Sequence, residues 1–133
     1  MPLRQTAGLC GFMLLLTSNF ATGLGLGDIT LLSTIQEPFH AEVELVDVGD
    51  LNADEILIGF GSLQQFEHSQ LEFHAFFQDF TFELLLENTD TPRIKITSHT
   101  VIKEPFLGFI LEARWPKGRM QREYTLLLDK PAR

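Results

Sequence analysis

Four histidines, eighteen acidic residues, one cysteine and one tryptophan are the side chains of this 133-residue sequence best equipped for chemistry. Their spacing limits what each can do. His40, His68, His74 and His99 stand apart, none two or four positions from another, so no strand or helix face presents a pair. A metal site needs several converging ligands with supporting partners, and scattered histidines read as solvent-facing instead. The carboxylates lack the D-x-D-x-D-G spacing of a calcium loop. A general acid and base would require two placed groups with separated pKa values, which abundance does not supply. Glu42 and Glu44 fall on the outer side of one strand and read as a solvated face. Gly23-Leu-Gly-Leu-Gly27-Asp28 leads into a strand, whereas a nucleotide loop follows a strand and opens a helix so that its amides meet phosphate. It reads as a flexible start to the mature chain. No catalytic, cofactor-binding or metal-ligating residue is assigned, no cofactor is expected, and the sequence points away from an enzyme.

The aromatic residues carry more information. Twelve phenylalanines stand against one tyrosine and one tryptophan. Phe39, Phe80, Phe82 and Phe109 fall on apolar positions of alternating segments and read as core. Phe73, Phe76, Phe77 and Phe80 are less regularly spaced, and Phe66, Phe73, Phe76 and Phe77 form the candidate patch for a partner protein. Trp115 is the one candidate for a sugar-binding platform, since such platforms favour rings with a polar edge. Beside Pro116 in a hairpin turn it also reads as a cover for one end of the fold.

The elements that must position these residues begin after a distinct leader. Residues 1–23 carry one charge, Arg4, then a short apolar core, Ala7 to Leu16, then small residues at Ala21 and Gly23. This is the pattern of a secretory signal peptide, with cleavage expected after Gly23. The apolar run is well short of the roughly 18 residues a spanning helix needs. Cys10 lies inside it, so the mature chain has no cysteine for disulfides or thiolate metal sites. Between Leu24 and Pro92 there are fourteen acids and no Lys or Arg, while from Arg93 onward nine basic residues face four acids. The mature chain is strongly acidic overall and its basic residues line no single motif, which speaks against a nucleic-acid partner.

Phe39 to Leu45 alternates apolar residues with His40, Glu42 and Glu44, the period of a half-buried strand. Phe80 to Leu86 and Ile94 to Thr97, around Asn88-Thr-Asp-Thr-Pro92, make one hairpin. Phe106 to Arg114 and Arg119 to Leu128, around Trp115-Pro-Lys-Gly118, make another, with Pro116 and Gly118 supplying the fixed and permissive backbone angles. Further strands are expected at Asp28 to Leu32 and Glu55 to Gly61. Ser62 caps the one helical stretch, Ser62 to Leu71. About seven short strands with turns between them predict an all-β, antiparallel immunoglobulin-like sandwich over residues 24–133, with a small barrel as the main rival.

Three blocks resemble a known family. They are Leu24-Gly-Leu-Gly-Asp-Ile29; Glu37-Pro-Phe-His-Ala-Glu-Val-Glu-Leu45 with Gly49-Asp-Leu-Asn-Ala-Asp-Glu-Ile56; and Glu104-Pro-Phe-Leu-Gly-Phe-Ile-Leu-Glu112 with Trp115-Pro-Lys-Gly-Arg119 and Arg122-Glu-Tyr-Thr-Leu-Leu-Leu-Asp129. In order, they are similar to the N-terminal domain of the FimV family, proteins of type IV pilus assembly and cell-pole organisation in Gram-negative bacteria. The resemblance implies a periplasmic domain with no catalytic residues to carry over. The family's peptidoglycan-binding LysM module, transmembrane helix and acidic cytoplasmic part have no counterpart in these residues. The chain is therefore expected to be either a fragment of a longer FimV-like protein or a free-standing periplasmic domain. Its expected role is a non-enzymatic interaction module that binds an envelope or pilus-assembly protein through an exposed strand edge or through the Phe66–Phe80 loop. A module that binds glycan or peptidoglycan is the alternative.

Overall fold

In the computed structural model, which describes residues 23–87 and 90–129, seven strands form two antiparallel sheets. β1 (Gly25–Leu31), β2 (Glu37–Val46), β4 (Thr81–Leu85) and β5 (Arg93–Ile102) make the first, in the order β1-β2-β5-β4. β3 (Leu57–Phe60), β6 (Phe106–Trp115) and β7 (Gly118–Leu127) make the second, in the order β3-β6-β7. Two open sheets face to face are a sandwich and not a closed barrel. Apart from Gly23, the signal-peptide segment lies outside the described residues.

The alternation read in the sequence builds the core. Phe39, Ala41, Val43 and Leu45 of β2 are buried, as are Ile94 and Ile96 of β5 and Leu107, Phe109 and Leu111 of β6. Each large apolar side chain taken from water in this way contributes about 1.5–3 kcal/mol. The intervening residues of the first sheet match charges across its outer face: Glu42 and Glu83 flank Lys95, and Glu44 faces Arg93. Lys95 thus pairs with Glu83 across the first hairpin. Arg93 faces Leu85 there, and its Nε meets Glu42 Oε1 on β2 at 3.1 Å. Cross-strand pairs of this kind contribute about 0.2–1 kcal/mol each and favour one register over its neighbours.

Three local structures depart from the sequence expectation, each for a steric or hydrogen-bonding reason. The Gly-rich segment is not a flexible lead-in: Gly25 already belongs to β1, and Leu24 and Leu26 are buried. Its glycines provide room. A Cβ on Gly25 would stand 2.7 Å from Val46 Cγ2, and one on Gly27 3.1 Å from Glu44 Cβ and 3.3 Å from the Glu44 carbonyl oxygen. Gly27 and Asp28 together lie opposite Glu44, a bulge that shifts the β1–β2 register.

In the β6–β7 hairpin, Trp115 pairs with Gly118, leaving Pro116 and Lys117 as a two-residue loop. The positive-φ turns usual in such loops are closed to Pro116, whose ring fixes φ near −65°. Gly118 does not take a left-handed angle either. A Cβ there would make ordinary contact with the Trp115 ring, its Cζ2 3.4 Å away.

The helix α1 (Leu63–His68) starts where expected, with a capping box in which Gln65 N–H donates to Ser62 Oγ and Ser62 N–H donates to Gln65 Oε1. It stops sooner than Leu71 because Gln70 turns left-handed, at φ 60. Gln70 N–H then donates to Glu67 O and Leu71 N–H to Phe66 O, the paired bonds of a Schellman motif. A short 3-10 helix, Ala75–Asp79, follows. Asp79 Oδ2 accepts from the backbone N–H groups of His99 (2.7 Å) and Thr100 (2.6 Å), pinning this turn to the irregular part of β5. Hydrogen bonds from the Thr100 side chain and backbone, with that from His99, hold its carboxyl below the usual 3.8. No helix among the described residues is long and apolar enough to cross a membrane.

Candidate partner-binding surface

A sandwich of two open sheets has two sides where edge strands meet, and here they are finished differently. On one side β1 approaches β7. Arg122 Nη1 donates to Leu26 O at 3.1 Å and Tyr124 Oη donates to Gly27 O at 2.6 Å. Arg122 Nη2 also lies 3.7 Å from Asp28 Oδ1, and the guanidinium sits 5.1 Å from the Tyr124 ring centre. The β1 carbonyls that would otherwise invite another strand are taken up by these side chains.

The other side is bounded by β3 and β4. Gly61 N–H donates to Ile110 O at 2.9 Å, and β3 pairs Leu57 with Arg114 and Gly59 with Glu112. In an antiparallel ladder, bonded and non-bonded pairs alternate. Ile58 and Phe60 therefore turn their N–H and C=O groups away from β6, toward the open side. Among the described residues, none of the backbone bonds outside the ladders reaches them. β3 carries no Lys, no Pro and no charge, so its guards against pairing are its brevity and the phenylalanines packed beside it. Leu57 is 67% exposed, and a Cβ on Gly59 would meet nothing within 4 Å.

The space between β3 and β4 is filled by phenylalanines. Phe60 packs against Phe77 at 4.7 Å and Phe82 at 5.3 Å between ring centres, and Phe66 against Phe73 at 4.9 Å. Phe66 and Phe77 are 1% and 2% exposed, so these two members of the expected patch are core residues that plug the side of the sandwich. Phe73 and Phe76 are partly buried and form its rim. Phe76 stacks on His74 at 4.6 Å with the rings 7° from parallel, and His74 Nδ1 lies 3.7 Å from Glu72. The structure thus brings Phe66, Phe73, Phe76 and Phe77 together. Trp115 stands elsewhere, in a cleft at the end of the sandwich with Gly23, Asp47, Asp50 and Lys117. The sequence located β3 but not its status as an edge, because sheet order depends on pairings between residues far apart in the chain. His74 carried no sequence signal.

Chemically, this side can accept an extended peptide, with main-chain bonds at Ile58 and Phe60 and apolar contacts at Phe73, Phe76 and Leu57. Among the described residues, no group of three His, Cys, Asp or Glu side chains could hold a metal ion. A family model, the FimV N-terminal domain, described as Ig-like, matches residues 24–131 and so takes in all seven strands.

The chain belongs to the FimV N-terminal domain family. Two curated relatives, both named motility hub protein FimV, come from Pseudomonas aeruginosa strains PAO1 and UCBPP-PA14. Each is 39% identical over 116 residues, covering 87% of this chain and 13% of the relative. The chain therefore spans a small part of the relatives it matches. No solved structure matches it. The open β3 edge and the Phe-filled side are features of this FimV N-terminal domain as folded here.

Proposed function

We propose that this FimV N-terminal domain is a non-enzymatic, periplasmic protein-interaction module associated with type IV pilus assembly or cell-envelope organisation, and that it takes an extended segment of a partner along β3. The observation that carries this reading is the pair of unpaired backbone positions at Ile58 and Phe60, beside the Phe73 and Phe76 rim. The relatives' name, motility hub, supports a role in assembly, and the leader read at residues 1–23 supports export to the periplasm. Strand addition draws affinity from the main chain and specificity from the side-chain pockets beside it.

The exported protein, used as bait, is expected to enrich an inner-membrane pilus component from envelope extract. Ile58→Pro removes an N–H that points away from β6, a position where proline is tolerated at a sheet edge. It should abolish capture in a chain that still folds, with a lowered Tm because Ile58 packs partly against the core, and Leu57→Lys should weaken capture. No enrichment over an unrelated sandwich domain, or undiminished capture by a folded Ile58→Pro chain, would overturn the proposal.

A further inference from the structure

Four strands end the two sheets, β1 and β4 in the first and β3 and β7 in the second. β1 and β7 are turned onto each other by the Arg122 and Tyr124 bonds, and both carry charges, Asp28 on β1 and Arg119, Arg122 and Glu123 on β7. β4 carries Glu83 at its midpoint. β3 is the one edge strand without a charge. Its open backbone groups belong to Ile58 and Phe60, with Gly59 between them.

We propose that β3 pairs with β3 of a second copy of this chain, antiparallel, about a twofold axis through Gly59. The inference rests on the reading of β3 as an open edge and names the strand that occupies it until a partner's segment arrives. Setting Ile58 against Phe60 of the second copy creates the same pair again on the other side of the axis. Both are bonded pairs, each exchanging two N–H···O=C bonds, so four bonds satisfy the open groups of both strands. Gly59 then meets the second copy's Gly59 as the close, non-bonded pair, with Cα atoms about 4.5 Å apart. Leu57, 67% exposed, lies diagonally across from the second copy's Gly59, where no side chain stands and a Cβ would meet nothing within 4 Å.

Charge decides between the open edges. A twofold pairing centred on β4 would set Glu83 directly opposite Glu83, which is destabilising. At β3 the nearest charge in the row of Gly59 is Glu112 on β6, which would stand three strand spacings, about 14 Å, from its copy. That exceeds the screening length of about 8 Å at physiological salt. A four-residue strand buries less than the roughly 1,200 Å² of a stable interface, so the pair is weak and reversible. The same backbone groups serve the second copy and a foreign segment, so each excludes the other.

Oxidative trapping reads such a weak pair. In the exported protein with Cys10→Ser, Gly59→Cys supplies the only thiol. Across the axis the two copies of residue 59 come within the range of about 4.4–6.8 Å between Cα atoms that a disulfide spans. In Leu57→Cys the two thiols would be four residues apart along the strands, about 14 Å. With each rate normalised to reaction with a small aromatic disulfide, Gly59→Cys should crosslink about tenfold faster than Leu57→Cys. Adding Ile58→Pro should remove that excess. The crosslinked dimer should lose capture of the pilus component and regain it on reduction. Equal normalised rates would overturn the self-pairing and leave the partner reading standing. Selective crosslinking with capture that persists in the crosslinked dimer would overturn the partner reading alone.

Discussion

Tyr124 is the only tyrosine in the chain, and its hydroxyl can donate to Gly27 O only while protonated. Burial pushes its pKa up to about 12, against an opposing effect of the Arg122 charge and with a further upward push from Asp28. Since the folded value lies above the unfolded one of about 10, the stability this group contributes is fully present below pH 10 and is lost as pH rises through the folded value. Absorbance at 295 nm follows this residue alone. The folded protein should titrate near 12 and the protein in denaturant near 10; coincident curves would show that the phenol is not sheltered. This role was hidden in the sequence, where Tyr124 is one apolar position of an alternating strand and its acceptor lies 97 residues away. Phe39 and Phe109, by contrast, were legible as core because alternation alone assigns their face. Phe66 and Phe77 were not, since the two short helices that hold them are too brief to show a period.

At the scale of elements, starts were easier to read than ends. Ser62 and Gln65 sit at the spacing of a capping box, and they form it. The helix then stops at a residue that gives no warning, because Gln70 adopts the left-handed conformation usually left to glycine. Its exposed side chain and positive φ predict that Gln70→Gly stabilises the domain by about 1 kcal/mol through relief of backbone strain, measured as a higher urea midpoint at unchanged slope. An unchanged or lower midpoint would mean that the unfolded-chain entropy of glycine outweighs that relief. The hairpin at Pro116 and Lys117 was legible in position but not in its backbone angles, because Gly118 already pairs with Trp115 and takes no left-handed turn.

At the scale of the whole molecule, the division between an acidic first part and a basic last part disappears into the sheets. β5, from the basic part, lies between β2 and β4, from the acidic part, so Lys95 and Arg93 meet Glu83, Glu44 and Glu42 on one face. The sequence made such matching foreseeable for the adjacent hairpin but could not show that β2 would be the other neighbour.

The seam between β1 and β7 has a mechanical consequence. The described chain enters beside Trp115 and leaves at Asp129, whose carbonyl accepts from Ile35 N–H at the opposite end of the sandwich. Leu26 and Gly27 meet Arg122 and Tyr124 in the same sequence order, so β1 and β7 run parallel. Tension between the two chain ends loads that seam in shear, stretching both side-chain bonds together instead of opening them one after another. Tyr124→Phe should therefore lower the force at which a single tethered domain gives way; an unchanged rupture force would place the mechanical resistance elsewhere.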